Sequence, residues 1–256
     1  SSEFDVWLYK LSRKRTCFLN SVIMSTGFSL LYRIYIHICF QVATIFEAIA
    51  NTFHAIGLFR RRRAKLPDSL QGQTVLITGA NSGIGKETAK VASRGARVIL
   101  ACRDQAKAID AVEDILAEVG KDKKDLLTLV DLDLSSLQSV RSCALQVADL
   151  TEHIDVLINN AGVMMCPEWQ TKDGHEYQMA TNHLGHFLLT NLLIGKLKAA
   201  PAGARVVNLA SVAHMPGQMY FDNFNMNGIY TPLGAYARSK LANIYFTREL
   251  AKRLKD

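Results

Sequence analysis

Tyr236 and Lys240 stand four residues apart in Tyr236-Ala237-Arg238-Ser239-Lys240, a spacing that puts both side chains on one face of a helix. A phenol of ordinary pKa, about 10, supplies little phenolate at neutral pH, and a neighbouring ammonium favours the ionised form. Such a phenol can take a proton from an alcohol or return one to a carbonyl oxygen. The same pair also occurs on plain surface helices, so a third group carries weight. Ser211 ends the run Val206-Val207-Asn208-Leu209-Ala210-Ser211, where a strand would deliver it to the carboxyl edge of a sheet. A hydroxyl there can donate to a substrate oxygen and stabilise developing charge. No G-x-S-x-G elbow occurs, which disfavours serine-hydrolase chemistry.

Groups so far apart in sequence need a scaffold. Thr78-Gly79-Ala80-Asn81-Ser82-Gly83-Ile84-Gly85 follows the apolar run Thr74-Val75-Leu76-Ile77 and precedes the helical pattern Lys86-Glu87-Thr88-Ala89-Lys90-Val91-Ala92. Strand, glycine-rich turn and helix is the context in which such a turn seats a dinucleotide. Glycines let the backbone bend and let a diphosphate approach, and a helix start presents N–H groups to that anion. Taken alone, the motif is also an ordinary glycine-rich turn. The apolar pattern predicts strands at 74–78, 97–102, 126–131, 156–159 and 205–209. It predicts helices at about 85–94, 104–118, 174–198 and 236–255, with Ser135-Ser136 capping one more. Strands alternating with helices give an α/β fold, a doubly wound parallel sheet.

The chain has 256 residues, room for one such domain and an appendage. Residues 1–66 hold ten Lys/Arg and three Asp/Glu, whereas residues 67–256 hold twenty of each. The neutral globular part lacks the basic face that nucleic acid requires. Cys17, Cys39, Cys102, Cys143 and Cys166 form no C-x-x-C pair, which suits reduced thiols in a cytosol-facing protein and no metal site.

Domain boundaries are expected at 1–66 and 67–256. Residues 22–59 are mostly apolar, with Arg33 and Glu47 their only charges, and Arg60-Arg61-Arg62-Arg63 closes them. Two membrane readings compete. One is a signal-anchor helix stopped by the arginines, with Glu47 costly at mid-span. The other is an interfacial helix lying on anionic lipid. A soluble helical hairpin is the remaining alternative. Either membrane reading puts the following domain in the cytosol. Met24 is expected to be the initiator.

The G-x-x-x-G-x-G spacing resembles the TGxxxGIG fingerprint of the short-chain dehydrogenase/reductases. So do Asp131-Leu132-Asp133-Leu134, Asn159-Asn160-Ala161-Gly162, Asn182 in Thr181-Asn182-His183-Leu184-Gly185, Ser211, and the Tyr236/Lys240 pair. The resemblance runs from about residue 70 to the end of the chain and implies a Rossmann fold. It assigns cofactor binding to Gly79, Asn81, Ser82, Gly83, Ile84, Gly85, Asp133 (at the adenine amino group), Asn160, Ala161, Gly162, Tyr236 and Lys240. It assigns catalysis to Ser211, Tyr236, Lys240 and Asn182, the last holding a water that links Lys240 to solvent. At the end of the second strand, where an acidic residue would bind a 2′-hydroxyl, Ala101-Cys102-Arg103 places a cation that can pair with a 2′-phosphate. NADP(H) is therefore favoured over NAD(H), with Lys86 adding positive potential. A solvated arginine at a helix start is the other reading of Arg103.

Within the family, TGANSGIGKETA, VILACRD, LDLSSLQSV, INNAGVM, TNHLGHFLLT and SKLANIYFTRELAKRL look most like the retinol dehydrogenase group. That likeness implies a membrane-associated protein, at the endoplasmic reticulum with a cytosol-facing catalytic domain, acting on a lipophilic substrate such as retinol or retinal. It leaves room for homo-oligomerisation. Ala210 departs from the group, which often has a second serine there. The family continues beyond the last helix with a strand, a turn over the nicotinamide and a substrate lid. The sheet is thus expected to be C-terminally incomplete, and this chain alone weakly active or inactive. A steroid or other lipid carbonyl reductase, and a non-catalytic nucleotide-binding scaffold tethered to the membrane, are the alternatives.

Overall fold

The computed structural model describes residues 68–254. The apolar segment at 22–59, its arginine stop and the boundary of the N-terminal extension lie outside the described residues. Five parallel strands, β1 (Thr74–Thr78), β2 (Arg97–Cys102), β3 (Leu127–Asp131), β4 (Val156–Asn159) and β5 (Arg205–Asn208), form one sheet in the order β3-β2-β1-β4-β5. The chain direction across the sheet reverses between β1 and β4, and ligands of open α/β sheets sit outside the carboxyl ends at such a switch point.

Alternation along the strands feeds two apolar layers. Leu76 and Ile99 pack with Val130, Leu157 and with Val140 and Val147 of α3 (Leu137–Leu150). Val75, Ile77, Val98 and Leu100 point the other way, onto Ala89 of α1 (Gly83–Ala89) and Ala108 and Ile115 of α2 (Gln105–Val119). Each fully buried Leu or Ile of these layers contributes about 1.5–3 kcal/mol. The sheet is thus covered on both faces at β1, β2 and β4, as the doubly wound reading requires, while Arg205 and Val207 on one face of β5 are exposed.

Three elements differ from the sequence expectation. The helix after the glycine turn starts at Gly83, and from Lys90 to Arg94 it tightens into a 3-10 stretch closed by Gly95 at φ 89°. The last helix, α7 (Pro232–Arg253), starts before Tyr236, because Thr231 caps Gly234 N–H and Pro232 is pre-set for a first helical turn.

The single helix expected over 174–198 is instead broken. It comprises α4 (Tyr177–Met179), a π-helical turn (Ala180–Leu184), α5 (Gly185–Leu192) and α6 (Ile194–Lys198). Asn182 lies inside the π turn, and its side chain bonds outside the helix. An insertion of this kind widens the backbone ladder and is common at functional sites.

Candidate active site

The glycine turn is shaped by what stands behind it. A Cβ on Gly79 would come within 2.9 Å of Ala161, and Gly79 also has φ 65°. A Cβ on Gly85 would lie 2.5 Å from both Asn160 Nδ2 and Gly79 O. These two glycines are set by close approach, and Gly83, with open space around it, by its φ of 55°. Asn160 crosses from the end of β4 and donates to Thr78 O at 2.8 Å and Gly79 O at 3.2 Å.

The Thr78 hydroxyl accepts from Asn160 N–H and Ala161 N–H, both at 3.0 Å, and meets His186 Nε2 at 2.8 Å. With its lone pairs occupied, the hydroxyl donates to Nε2, so His186 carries its proton on Nδ1 and donates to Asn182 O at 3.1 Å. Burial holds the His186 imidazole neutral and pushes its pKa down to about 4. The seat at the switch point is therefore stitched by buried hydrogen bonds between β1, β4 and α5.

A cavity of about 310 Å³ opens in front of this seat. Gly79, Asn81, Ser82, Asp133, Asn160, Ala161 and Gly162 line it, together with Arg103. Gly83, Ile84 and Gly85 do not, and Ile84 points largely into solvent. Arg103 Nη1 donates to the Tyr177 hydroxyl at 3.0 Å, and that bond, the main cause, raises the guanidinium pKa. Asp133 Oδ1 accepts from Ser135 N at 2.9 Å and Ser135 Oγ at 2.6 Å, which fixes the carboxylate at the wall. Lys86 is placed otherwise than expected. It pairs with Asp114 of α2 and strengthens the α1–α2 contact, away from the cavity.

Two polar wall residues, Lys107 and Thr181, are given no site role by the sequence. Lys107 lines the cavity while paired with Asp104 at 2.9 Å, and the signal was its position four residues after Arg103 on a helix start. Thr181 lines it too, and its buried hydroxyl has no hydrogen-bond partner. No sequence signal marks that residue, because the π turn sets its direction.

Beyond Gly162 lies the second cluster. A Cβ on Gly162 would meet Asn182 Oδ1 at 3.1 Å and Lys240 Nζ at 3.5 Å, so this glycine is the thin wall between the seat and the lysine. Lys240 is only 5% exposed, its Nζ donates to Leu209 O at 3.0 Å, and it stands 5.6 Å from the centre of the Tyr236 ring. Desolvation lowers the Lys240 pKa. The helical spacing thus places ammonium and phenol side by side, with the phenol half-buried.

Ser211 follows β5, is half-buried, and its oxygen accepts from Ala213 N–H at 3.2 Å, an arrangement that keeps its O–H proton available to donate. Asn182 spends its side chain on protein partners. Oδ1 accepts from Val163 N at 2.7 Å, and Nδ2 donates to Val163 O and Ser239 Oγ, each at 2.9 Å. Its carbonyl accepts from His186 and from Asn243 Nδ2 at 3.1 Å. Asn243, another residue the sequence did not flag, also donates to Leu209 O at 3.1 Å, the acceptor that holds Lys240. Asn182 and Asn243 therefore fix the frame around the lysine. Among the described residues no group of three or more His, Cys, Asp or Glu could hold a metal.

Residues 73–256 match the family model for short chain dehydrogenase. The chain belongs to the short-chain dehydrogenases. This short-chain dehydrogenase is 50% identical over 188 residues to human retinol dehydrogenase 13, covering 73% of the chain and 56% of that relative. It is 52% identical over 187 residues to bovine retinol dehydrogenase 12, covering 73% and 58%. The chain spans somewhat more than half the length of these curated relatives.

Among solved structures, it resembles an uncharacterised protein from Mycobacterium paratuberculosis. That match has 45% identity and a TM-score of 0.63, and covers 73% of this chain and 64% of that one. It also resembles a short-chain dehydrogenase from Escherichia coli CFT073 complexed with NADPH, at 27% identity and a TM-score of 0.57, with 73% of each chain covered. Short-chain dehydrogenases bind a nicotinamide cofactor. Gly79, Asn81 and Ser82 of the turn, with the basic Arg103 and Lys107 lining the same cavity, fit such a dinucleotide.

Proposed function

We propose that this chain carries the cofactor-binding and catalytic machinery of an NADP(H)-dependent oxidoreductase that interconverts a lipophilic alcohol and its carbonyl, with retinol and retinal the substrate pair. The observation that carries the proposal is the buried Lys240 ammonium beside the Tyr236 ring, one glycine away from the dinucleotide seat. The seat residues Asn81, Ser82, Asn160 and Gly162 would hold the diphosphate and ribose, and Arg103 with Lys107 would hold the 2′-phosphate. The bound nicotinamide supplies or accepts the hydride.

The chain's own groups handle the proton. Tyr236 Oη gives a proton to the carbonyl oxygen in reduction and takes it from the hydroxyl in oxidation. Ser211 Oγ donates to the same substrate oxygen and stabilises its developing charge. Lys240, fixed by Leu209 O, keeps a positive charge next to the phenol.

A lipophilic substrate is supported by the surface next to Ser211. Val212, Met215 and Phe221 are 76%, 75% and 75% exposed, and residues 211–231 contain one formal charge, Asp222. The names of the retinol dehydrogenase relatives point the same way. Residues 22–59 followed by four arginines support attachment to the endoplasmic reticulum membrane with the catalytic domain on the cytosolic side. A panel of carbonyls with full-length protein, NADPH against NADH, tests the reading. Turnover of retinal with NADPH is expected, at a rate well above that with steroids. Equal rates with NADH, or turnover of steroids alone, would replace it with the broader lipid carbonyl reductase. Binding of NADPH with no turnover of any carbonyl would replace it with the scaffold.

A further inference from the structure

Arg103 does not hang free over the cavity. Its Nη1 donates to the hydroxyl of Tyr177, which is 74 residues away in sequence, at the start of α4. Tyr177 is in turn held from behind. Its ring meets that of Trp169 edge to face, with centroids 5.7 Å apart, and its N–H donates to Trp169 O at 2.9 Å. Immediately before it, at the same end of the short helix, the buried Glu176 carboxylate caps α4 and accepts from Gln178 N and Met179 N, both at 2.7 Å. The phenol is thus a fixed post in an otherwise exposed setting.

A guanidinium has five N–H donors, and the bond to Tyr177 uses one of the two on Nη1. The Nε–Nη2 edge keeps its own parallel pair, which is the geometry for bidentate binding of a phosphate. The bond to Tyr177 therefore removes rotamer freedom from Arg103 without consuming the donors that a phosphate would take. Asp104 and Asp133 stand close enough to attract the guanidinium, so without an anchor they compete for it.

We propose that Tyr177 is a specificity-determining positioning residue. Its hydroxyl holds Arg103 across the adenosine end of the cavity, so that discrimination for a 2′-phosphorylated cofactor depends on this phenol. The inference rests on the NADP(H) reading and adds to it a residue outside the glycine turn and the β2 end.

The test is calorimetric titration of the 256-residue chain with adenosine 2′,5′-bisphosphate and with 5′-AMP, which differ only in the 2′-phosphate. Tyr177→Phe keeps the ring against Trp169 and removes only the hydroxyl. It is expected to weaken the bisphosphate by about 3- to 10-fold, the range for losing one hydrogen bond that orients a charged group at a solvent-facing site. The 5′-AMP affinity is expected to stay within about 2-fold. Arg103→Met should bring the two ligands to similar affinity, and Tyr177→Phe added to Arg103→Met should then change nothing further. If Arg103→Met removes the discrimination but Tyr177→Phe leaves it intact, the role given to Tyr177 fails while the NADP(H) reading stands. If Arg103→Met also leaves it intact, or the wild-type chain does not discriminate, both fail. Equal weakening of both ligands by Tyr177→Phe shows a role in folding α4 alone and overturns the proposal.

Discussion

At the carboxyl ends of β1 and β4, Thr78, Asn160 and His186 share a net of short, largely buried bonds in which side chains tie one strand's backbone to the next. In residues 211–231, the proposed substrate side, the ties are of another kind. Asn223 closes a local loop with Asn227, while Asn225 bonds Gly174 O and Glu176 N. Tyr230 donates to carbonyls at Cys166 and Pro167, and the chain exposes Val212, Met215 and Phe221. The first region is built on the sheet and has no room to shift by a methyl group. The second is built largely from loops bonded to other segments, and Val212, Met215 and Phe221 face outward while Met226 is buried. A cofactor common to many reactions suits the rigid seat, and a substrate that varies suits the loops.

Tyr236 stands where the two regions meet, and its replacement has the largest expected effect. Tyr236→Phe should lower turnover by about 10²- to 10⁴-fold, as for loss of a general acid–base, while NADPH affinity by fluorescence titration stays unchanged. A comparable loss of cofactor binding would mean that the phenol belongs to the seat.

Gly85→Ala tests the rigidity claimed for the seat. The new Cβ must displace Asn160 Nδ2 or Gly79 O, so NADPH affinity should fall by roughly 100-fold, an effect in the range of severe steric substitutions. A loss of about 3-fold or less would show that the turn gives way as easily as a loop.

His186 makes the seat sensitive to acid. Its folded pKa, about 4, lies below the ordinary value of 6.5, so between those values the unfolded chain binds more protons. Stability from this residue is complete above pH 6.5 and is lost as pH falls toward 4, to a total of roughly 3 kcal/mol. Urea denaturation from pH 7 to pH 4 should show this decline, and His186→Gln should flatten it. An unchanged profile in the variant would remove His186 from the net.

The smallest effect on stability belongs to the loop side. Phe221 is already 75% exposed, so Phe221→Ser should change the unfolding free energy by no more than about 0.5 kcal/mol. KM for retinal should rise several-fold, with KM for a small water-soluble carbonyl unaffected. Equal shifts for both substrates would mean that the apolar rim does not select lipophilic ligands.

Much of this was written in local pattern. The run from Thr74 to Ile77, the glycine spacing after it and the Tyr/Lys interval are short-range signals, because strand burial, turn conformation and helix face each depend on a few neighbouring residues. They determined the five strands, the turn and the pairing of Tyr236 with Lys240. Tertiary structure decided what local pattern cannot carry. An apolar period predicts a helix through 174–198, but the chain forms a π turn at Ala180–Leu184, where Asn182 bonds Val163 and Ser239, 19 and 57 residues away in sequence. Lys86 has the position of a phosphate ligand and the partner of a structural lysine, since Asp114 becomes its neighbour only when α1 and α2 pack. Arg103 and Tyr177 meet for the same reason. Only the tertiary fold brings the end of β2 to the start of α4, and hydrogen bonds between residues so distant in sequence leave no periodic trace in it.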